Sequence, residues 1–260
     1  MELLNRLGFL AIVAAVSVGL SQPPVTAKEK YTEVAVQNGG SVTGKVTFAG
    51  ALPDTAIERI LITKNPDVCG EGEREVVWID VKEGALRGVF VFLDKIEEGK
   101  AWPQPECGQY VVNQKGCRFA PWAQVVRPGL IIVRNSDPGV LHNINTREMI
   151  GVEKGRVVKR TMFNFGQPDP GDIEQQLTPR RSPYISINCE AHNFMFGFLM
   201  APPHPYAVVV GEDGAFEIRD VPAGDYKLIA WHPIIGLQET AISVPAAGAV
   251  EANFSFSAAQ

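Results

Sequence analysis

The chain has 260 residues, 45% hydrophobic and 20% charged side chains, and a formal net charge of −5. This composition is ordinary for a soluble globular protein and allows one large or two small domains. The only dense basic spots, Lys159–Arg160 and Arg180–Arg181, are short, so the sequence argues against nucleic acid as a partner.

The first residues have the form of a secretory signal. A short polar start, Met1–Arg6, precedes the mostly apolar run Leu7–Leu20, which is too short to span a bilayer. Small residues follow and end at Ala27, where signal peptidase is expected to cut. The sequence therefore predicts a signal peptide over residues 1–27, a periplasmic or secreted protein, and no membrane span in the mature chain. The alternative is a buried N-terminal helix.

Beyond the signal, the sequence predicts an all-β fold. Short alternating or β-branched segments recur, and each is closed by Gly, Pro, Asn or Asp. No other window has an apolar stripe at helical spacing. Many short strands with such turns are typical of sandwiches and barrels. The clearest predicted strands are residues 41–48, 76–81, 88–93, 130–134, 184–189, 206–210, 215–218 and 226–231.

The segment CEAHNFM, from Cys189 to Met195, carries the most chemical information. It follows a predicted strand and contains His192, and His142 lies upstream in VLHNIN. A thiolate and two imidazoles, with a distant thioether, form the blue-copper ligand set. The alternative without a metal is that Cys189 is a small buried apolar residue and Met195 an ordinary core residue. Met200 is the alternative to Met195 as the thioether ligand.

These residues resemble the cupredoxins. CEAHNFM is similar to the short ligand loop of amicyanin-like members, and VRNSDPGVLHNIN resembles the strand and loop that supply their first histidine. The resemblance implies a Greek-key sandwich or barrel of eight strands and one type 1 copper, held by the ligands His142, Cys189, His192 and Met195. It also implies that Asn143 braces the ligand loops. Asn193 departs from the family, which usually has Pro there.

The apolar stretch Phe194–Pro203 has two interpretations. In cupredoxins, an apolar patch around an exposed imidazole edge docks redox partners, and His192 would then be the electron port. The structural interpretation, that the stretch is buried against a following domain, is slightly favoured because the chain continues beyond it.

A second module is indicated by DGAFEI and VPAGDYKL, which resemble the transthyretin-like sandwich of carboxypeptidase regulatory-like domains. The N-terminal SVTGKVTFAG looks like the first strand of that module. We therefore expect a discontinuous β-sandwich over residues 38–66 and 205–258, with a cupredoxin-like copper domain over 67–204 inserted in it. Two consecutive domains are the alternative.

The chain has four cysteines, and an exported protein resides where disulfides persist. With Cys189 as a ligand, three remain, which gives one pair and a free thiol, or an intermolecular bridge. NPDVCG and NQKGC resemble a recurring pair in bacterial cupredoxin-like proteins, which implies a Cys69–Cys117 disulfide with Cys107 spare. The alternative is Cys107–Cys117.

The two other histidines, His204 and His232, form either a second metal site or structural hydrogen bonds at a domain junction. With four histidines and two assigned, too few remain for the additional copper of a multicopper oxidase or nitrite reductase. We therefore expect no enzyme activity but a protein that carries single electrons between redox partners. The alternatives are copper storage or delivery, and a metal-free interaction module.

Overall fold

The computed structural model describes residues 31–105 and 108–258. The predicted signal peptide and Cys107 lie outside the described residues. Within those residues the fold is built almost entirely of strands, so the predicted all-β class is confirmed. The described part contains one short α-helix, α1 (Pro66–Cys69), and two 3-10 turns, Asp54–Ala56 and Val152–Lys154. None of its helices has the length and hydrophobicity needed to cross a bilayer.

Seven of the eight segments predicted from the sequence coincide with observed strands, but the predicted strand 76–81 is interrupted at residues 78–80. The observed strands also include several that were not predicted. In chain order they are β1 (Thr32–Glu33), β2 (Gly40–Ala49), β3 (Ile57–Leu61), β4 (Glu73–Val77), β5 (Val81–Lys82), β6 (Ala85–Leu86), β7 (Phe90–Leu93), β8 (Glu98–Gly99), β9 (Val111–Gln114), β10 (Phe119–Ala120), β11 (Ala123–Val125), β12 (Gly129–Asn135), β13 (His142–Ile150), β14 (Val158–Gln167), β15 (Gly171–Leu177), β16 (Tyr184–Asn188), β17 (Phe196–Met200), β18 (Ala207–Val209), β19 (Ala215–Val221), β20 (Gly224–His232), β21 (Gly236–Val244), β22 (Ala249–Glu251) and β23 (Phe254–Ser257).

The strands β9–β17 form a pair of sheets that we call the site sandwich. One sheet has the order β10-β9-β12-β15, and the other has the order β11-β17-β16-β13-β14. Apolar side chains of both sheets, such as Ile131, Val133, Ile144 and Ile187, form the core between them. Each Å² of apolar surface that they remove from water stabilises the fold by about 25 cal/mol, and this burial is the main stabilisation of such a sandwich.

The strands β2, β5–β7 and β18–β23 form a second pair of sheets, the terminal sandwich. Its sheets are β18-β7-β20-β21 and β19-β2-β6-β5, and both β22 and β23 also pair with β2. Along β2 the alternation is clear: Val42, Val46 and Phe48 are buried, as the period of two in a strand requires.

The apolar stretch after the ligand loop is buried between the two sandwiches. Phe198 and Met200 of β17 form a core cluster with Phe90 of β7 and Trp231 of β20. Strand β16 lies against cores on both of its faces, which explains why the stretch from Tyr184 to Ile187 is buried without alternation. The stretch is therefore mainly structural.

The discontinuous arrangement of the terminal module remains a proposal, and the strand pairing supports it. Strand β2, from the N-terminal part, pairs with β19, β22 and β23 from the C-terminal part. The proposed boundary differs from the pairing, however. Strands β5–β7 belong to sheets of the terminal sandwich, although the sequence places residues 67–204 in the copper domain. The pairing favours a first segment that extends to β7.

Candidate metal centre

His142 begins β13 and is fully buried. Its Nε2 lies 2.8 Å from Oδ2 of Asp137. An ionised carboxylate only accepts hydrogen bonds, so Nε2 donates in this contact, and in a neutral ring the lone pair is on Nδ1. That Nδ1 is buried and has no hydrogen-bond partner among the described residues. A buried nitrogen with a free lone pair is what a metal ligand requires.

Asp137 connects His142 to the turn before β10. Its carboxylate also accepts hydrogen bonds from the backbone N–H groups of Gly116 (2.7 Å) and Cys117 (2.9 Å). Burial raises the pKa of Asp137, but the hydrogen bonds from Cys117, Gly116 and His142 outweigh burial and hold this pKa below its usual value. The carboxylate is therefore ionised and fixes the His142 ring.

Cys189 and His192 lie on the tight loop that follows β16. The backbone N–H of Cys189 donates to the carbonyl of Met195, and the N–H of Met195 donates to the carbonyl of His192, both at 3.0 Å. These bonds fold the loop back on itself. His192 Nδ1 then lies 3.5 Å from Cys189 Sγ.

Three of the four predicted ligands therefore come together. The ligand atoms of His142, Cys189 and His192 all lie within 4.8 Å of one another. Each residue is at most 2% exposed, so solvent is excluded. One soft sulfur and two imidazole nitrogens are the donor types that suit copper, and the unpartnered Nδ1 of His142 has no other evident use. The donor atoms of these three residues therefore fit a copper ion.

Met195 is 2% exposed and belongs to the same core cluster as Cys189. Its rival Met200 lies in the cluster between the two sandwiches, with Trp231. The core around Cys189 therefore contains Met195 and not Met200.

Asn143 links the two ligand-bearing segments. Its backbone N–H points to Cys189 Sγ at 3.3 Å, and its side-chain Oδ1 accepts from the N–H of Glu190 at 3.1 Å. Its side-chain amide also donates to the carbonyl of Phe165 in β14, at 3.1 Å. These contacts connect the loop of Cys189 and His192 to β13 and β14, and the bracing role of Asn143 stays a prediction.

His192 is covered by the hairpin β3–β4, residues 57–77, which we call the cap. Asn65 of the cap lies with its Oδ1 3.1 Å from His192 Nε2, and His192 is only 2% exposed. Burial lowers the pKa of His192 to about 4, and the positive charges of Lys64 and Arg74 add to this effect. The exposed imidazole edge considered from the sequence is therefore absent.

The cap is attached to the site sandwich by a disulfide. Cys69 and Cys117 are joined at 2.00 Å, and 48 positions separate them in the chain. Arg74 of the cap donates to the carbonyls of Cys69, Gly116 and Cys117. Since Cys117 pairs with Cys69, the alternative Cys107–Cys117 pairing is not the one in this structure.

His204 and His232 do not take part in a metal cluster among the residues that the structure describes. His204 lies beside the rings of Tyr31 and Tyr206. His232 Nδ1 accepts from the backbone N–H groups of Ile234 and Ile235. Burial lowers the pKa of both histidines to about 4. Both are structural groups of the terminal sandwich.

Sequence reasoning missed Asp137 and Asn65. Asp137 lies in the NSDPG turn five residues before His142, where a carboxylate can turn back onto the ring. Asn65 gives a weaker signal, because only its closeness to Cys69 in NPDVC connects it to the metal centre.

Comparison with solved structures finds amicyanins. A reduced amicyanin with a proline-to-phenylalanine substitution is 16% identical, with 43% of this chain and 98% of that chain covered and a TM-score of 0.29. An oxidised amicyanin with a proline-to-glycine substitution and a reduced one with a tryptophan-to-tyrosine substitution are each 17% identical, with the same coverage and TM-scores of 0.27. No protein-family model and no curated protein matches the chain.

Proposed function

We propose that this protein is an exported electron carrier that binds one copper ion through His142, Cys189 and His192, with Met195 as a weaker ligand. Bound copper would supply a one-electron couple between Cu(I) and Cu(II). The partners of the protein are then other redox proteins, and it transforms no substrate.

The observation that carries this proposal is which nitrogen of each imidazole ring faces a hydrogen-bond acceptor. Nε2 of His142 faces the carboxylate of Asp137, and Nε2 of His192 faces the amide oxygen of Asn65. Both acceptors place the ring hydrogen on Nε2 and leave the lone pair on Nδ1. One Nδ1 is orphaned and the other faces Cys189 Sγ, within a cluster only 4.8 Å across.

Burial and bracing favour a carrier over a catalyst. A catalytic metal keeps a coordination position that substrate or water can reach. Here the three donors are buried, and the backbone hydrogen bond to Cys189 Sγ holds the sulfur in place. A preorganised, dry site changes little when one electron is gained or lost, which is what fast electron transfer needs.

The same site also suits copper storage or delivery. Such a protein differs from an electron carrier in how fast its bound copper is exchanged with an acceptor. The sequence lacks the Met- or His-rich runs that copper-handling proteins often carry. A carrier keeps its copper through many redox cycles, whereas a delivery protein gives Cu(I) to an acceptor faster than its copper changes redox state.

The test is the visible spectrum of the purified protein after loading with Cu(II). We expect an intense blue band from the copper–thiolate bond and its loss in Cys189→Ser. As a matched control, Met200→Leu changes a buried residue of the other core and should keep the band. A wild-type protein that stays colourless with bound copper contradicts the proposal.

A further inference from the structure

The Cys69–Cys117 disulfide lies directly against the candidate metal centre. Both sulfurs and a ring nitrogen of His192 lie within 4.8 Å of one another. The sulfur of Cys117 also lies within 4.8 Å of a nitrogen of His142 and an oxygen of Asp137. Both cysteines are buried, at 2% and 0% exposure. The bond that attaches the cap therefore borders both imidazole rings.

A disulfide is a poor metal ligand, but the two thiolates that replace it on reduction are soft ligands that favour Cu(I). We propose that reduction of Cys69–Cys117 creates a second, thiolate-rich Cu(I) site in which both cysteines bind the metal together with His192. The proposal rests on the proposed function, because His192 is shared with the copper set of the oxidised protein. The two sites are alternatives, and the disulfide selects between them.

Only small movements are required. Two sulfurs that bind one ion at about 2.3 Å each, in near-tetrahedral geometry, lie about 3.8 Å apart. Since a disulfide bond is about 2.0 Å long, each sulfur moves on the order of 1 Å, within reach of a side-chain rotation. Cys69 is well placed for this movement, because it ends the short helix α1 and is followed by Gly70, with φ of 99°.

The reduction step needs a dithiol as reductant. A dithiol gives two electrons and two protons to the Cys69–Cys117 bond, which breaks into two thiols, while the dithiol becomes a disulfide. Each cysteine thiol then releases its proton to solvent as it binds Cu(I). No electron comes from the copper in this sequence.

The expected effect is a gain in Cu(I) affinity. The second site has two thiolates where the first has one. Loss of a residue that only supports a ligand costs about 10–100-fold in metal affinity, so the additional thiolate ligand should tighten Cu(I) binding by more than about tenfold. The oxidised protein then exchanges electrons, and the reduced protein retains Cu(I).

The test measures Cu(I) affinity by competition with a chromogenic chelator under anaerobic conditions. The full chain carries Cys107→Ser, which removes the remaining cysteine from the count. It is compared before and after reduction by a dithiol that is then removed, with two additional thiols confirmed by titration. We expect the affinity to rise more than tenfold and the number of short copper–thiolate bonds, from X-ray absorption, to rise from one to two.

A Cys69→Ser/Cys117→Ser variant separates ligation from opening of the cap, because it lacks both the disulfide and the thiolates. Its affinity should not rise above that of the oxidised protein. If this variant does not fold, the copper–sulfur count of the reduced wild-type chain decides alone.

Three results contradict the inference: unchanged affinity after verified reduction, the same gain in the double serine variant, or a disulfide that a dithiol cannot reduce in the folded protein. Failure of the proposed function is a separate result, since it is read from the missing blue band of the oxidised, Cu(II)-loaded protein.

Discussion

The carboxylate of Asp137 lies 2.8 Å from Nε2 of His142, and the opposite nitrogen of the same ring, Nδ1, is buried without a hydrogen-bond partner. The acidic side chain therefore decides which nitrogen of His142 faces the metal centre. It also couples this ring to the turn that contains Cys117, because it accepts a hydrogen bond from the backbone N–H of Cys117.

The first prediction follows from this contact. Asp137→Asn removes the negative charge and the fixed ring orientation, and we expect copper affinity to fall about 10–100-fold. Stability should fall by about 1–3 kcal/mol, because the amides of Gly116 and Cys117 lose a charged acceptor. Asp172→Asn, at a half-exposed ion pair with Arg134, is the control and should leave copper affinity unchanged. Equal affinity in Asp137→Asn and wild type would remove Asp137 from the site.

The second prediction concerns the cap. Asn65 has φ of 51°, in the left-handed region, so Asn65→Gly keeps the backbone and removes only the amide that contacts His192. We expect copper to dissociate about tenfold faster, because the ring of His192 loses the acceptor that orients it. Asn38→Gly is a matched control, since Asn38 has φ of 52° in the terminal part of the fold. A chelator-exchange assay measures the rates, and equal rates in both variants would contradict the role.

The candidate ligands could be proposed from the sequence because three of them lie on one short loop, so their spacing is local information. Cys189, His192 and Met195 need only a turn after a strand, and the sequence shows both. Strand β2 was equally readable, because the alternation of Val42, Val46 and Phe48 with exposed residues continues along it.

The burial of His192 was not predictable in the same way. The cap residues around Asn65 are polar and exposed, and nothing in their pattern points to a loop more than a hundred positions away. Strands β14 and β15 were also missed, because they are rich in polar side chains and lie largely exposed on the site sandwich. Long-range contacts of polar segments leave little trace in local periodicity.

The third prediction concerns the far end of β13. Glu148 is fully buried, and its Oε1 accepts from the backbone N–H groups of Arg180 (2.9 Å) and Ser182 (2.8 Å), while Arg160 pairs with Oε2. Burial raises the pKa of Glu148, but the hydrogen bonds and Arg160 outweigh it and hold this pKa below its usual value.

Glu148→Gln replaces the buried carboxylate by a neutral amide, so the guanidinium of Arg160 loses its charged partner. We expect a loss of about 3 kcal/mol in the free energy of unfolding. Urea unfolding measures this loss. The blue band should remain under native conditions, because Glu148 does not touch the ligands. Glu217→Gln, at the exposed pair with Arg219, is the control and should unfold like wild type. A Glu148→Gln protein of wild-type stability would contradict the structural role.

The last prediction is a pH dependence to which two histidines of the terminal sandwich contribute. The pKa values of His204 and His232 are about 4 in the folded protein and near 6.5 in the unfolded chain. Between these values the unfolded state binds more protons, so the free energy of unfolding falls as pH falls from about 6.5 toward 4. Each histidine contributes up to about 1.4 kcal/mol per pH unit in this window.

Replacement by Asn tests this dependence without removing the acceptor, because Asn Oδ1 takes the place of the Nδ1 that accepts from backbone amides. Urea unfolding of apoprotein between pH 7 and 5 stays above the range in which carboxylates titrate. His204→Asn and His232→Asn should each flatten the slope, whatever their constant cost in stability. If the double variant keeps the wild-type slope, other groups cause the acid sensitivity, and the two rings are not held neutral by burial.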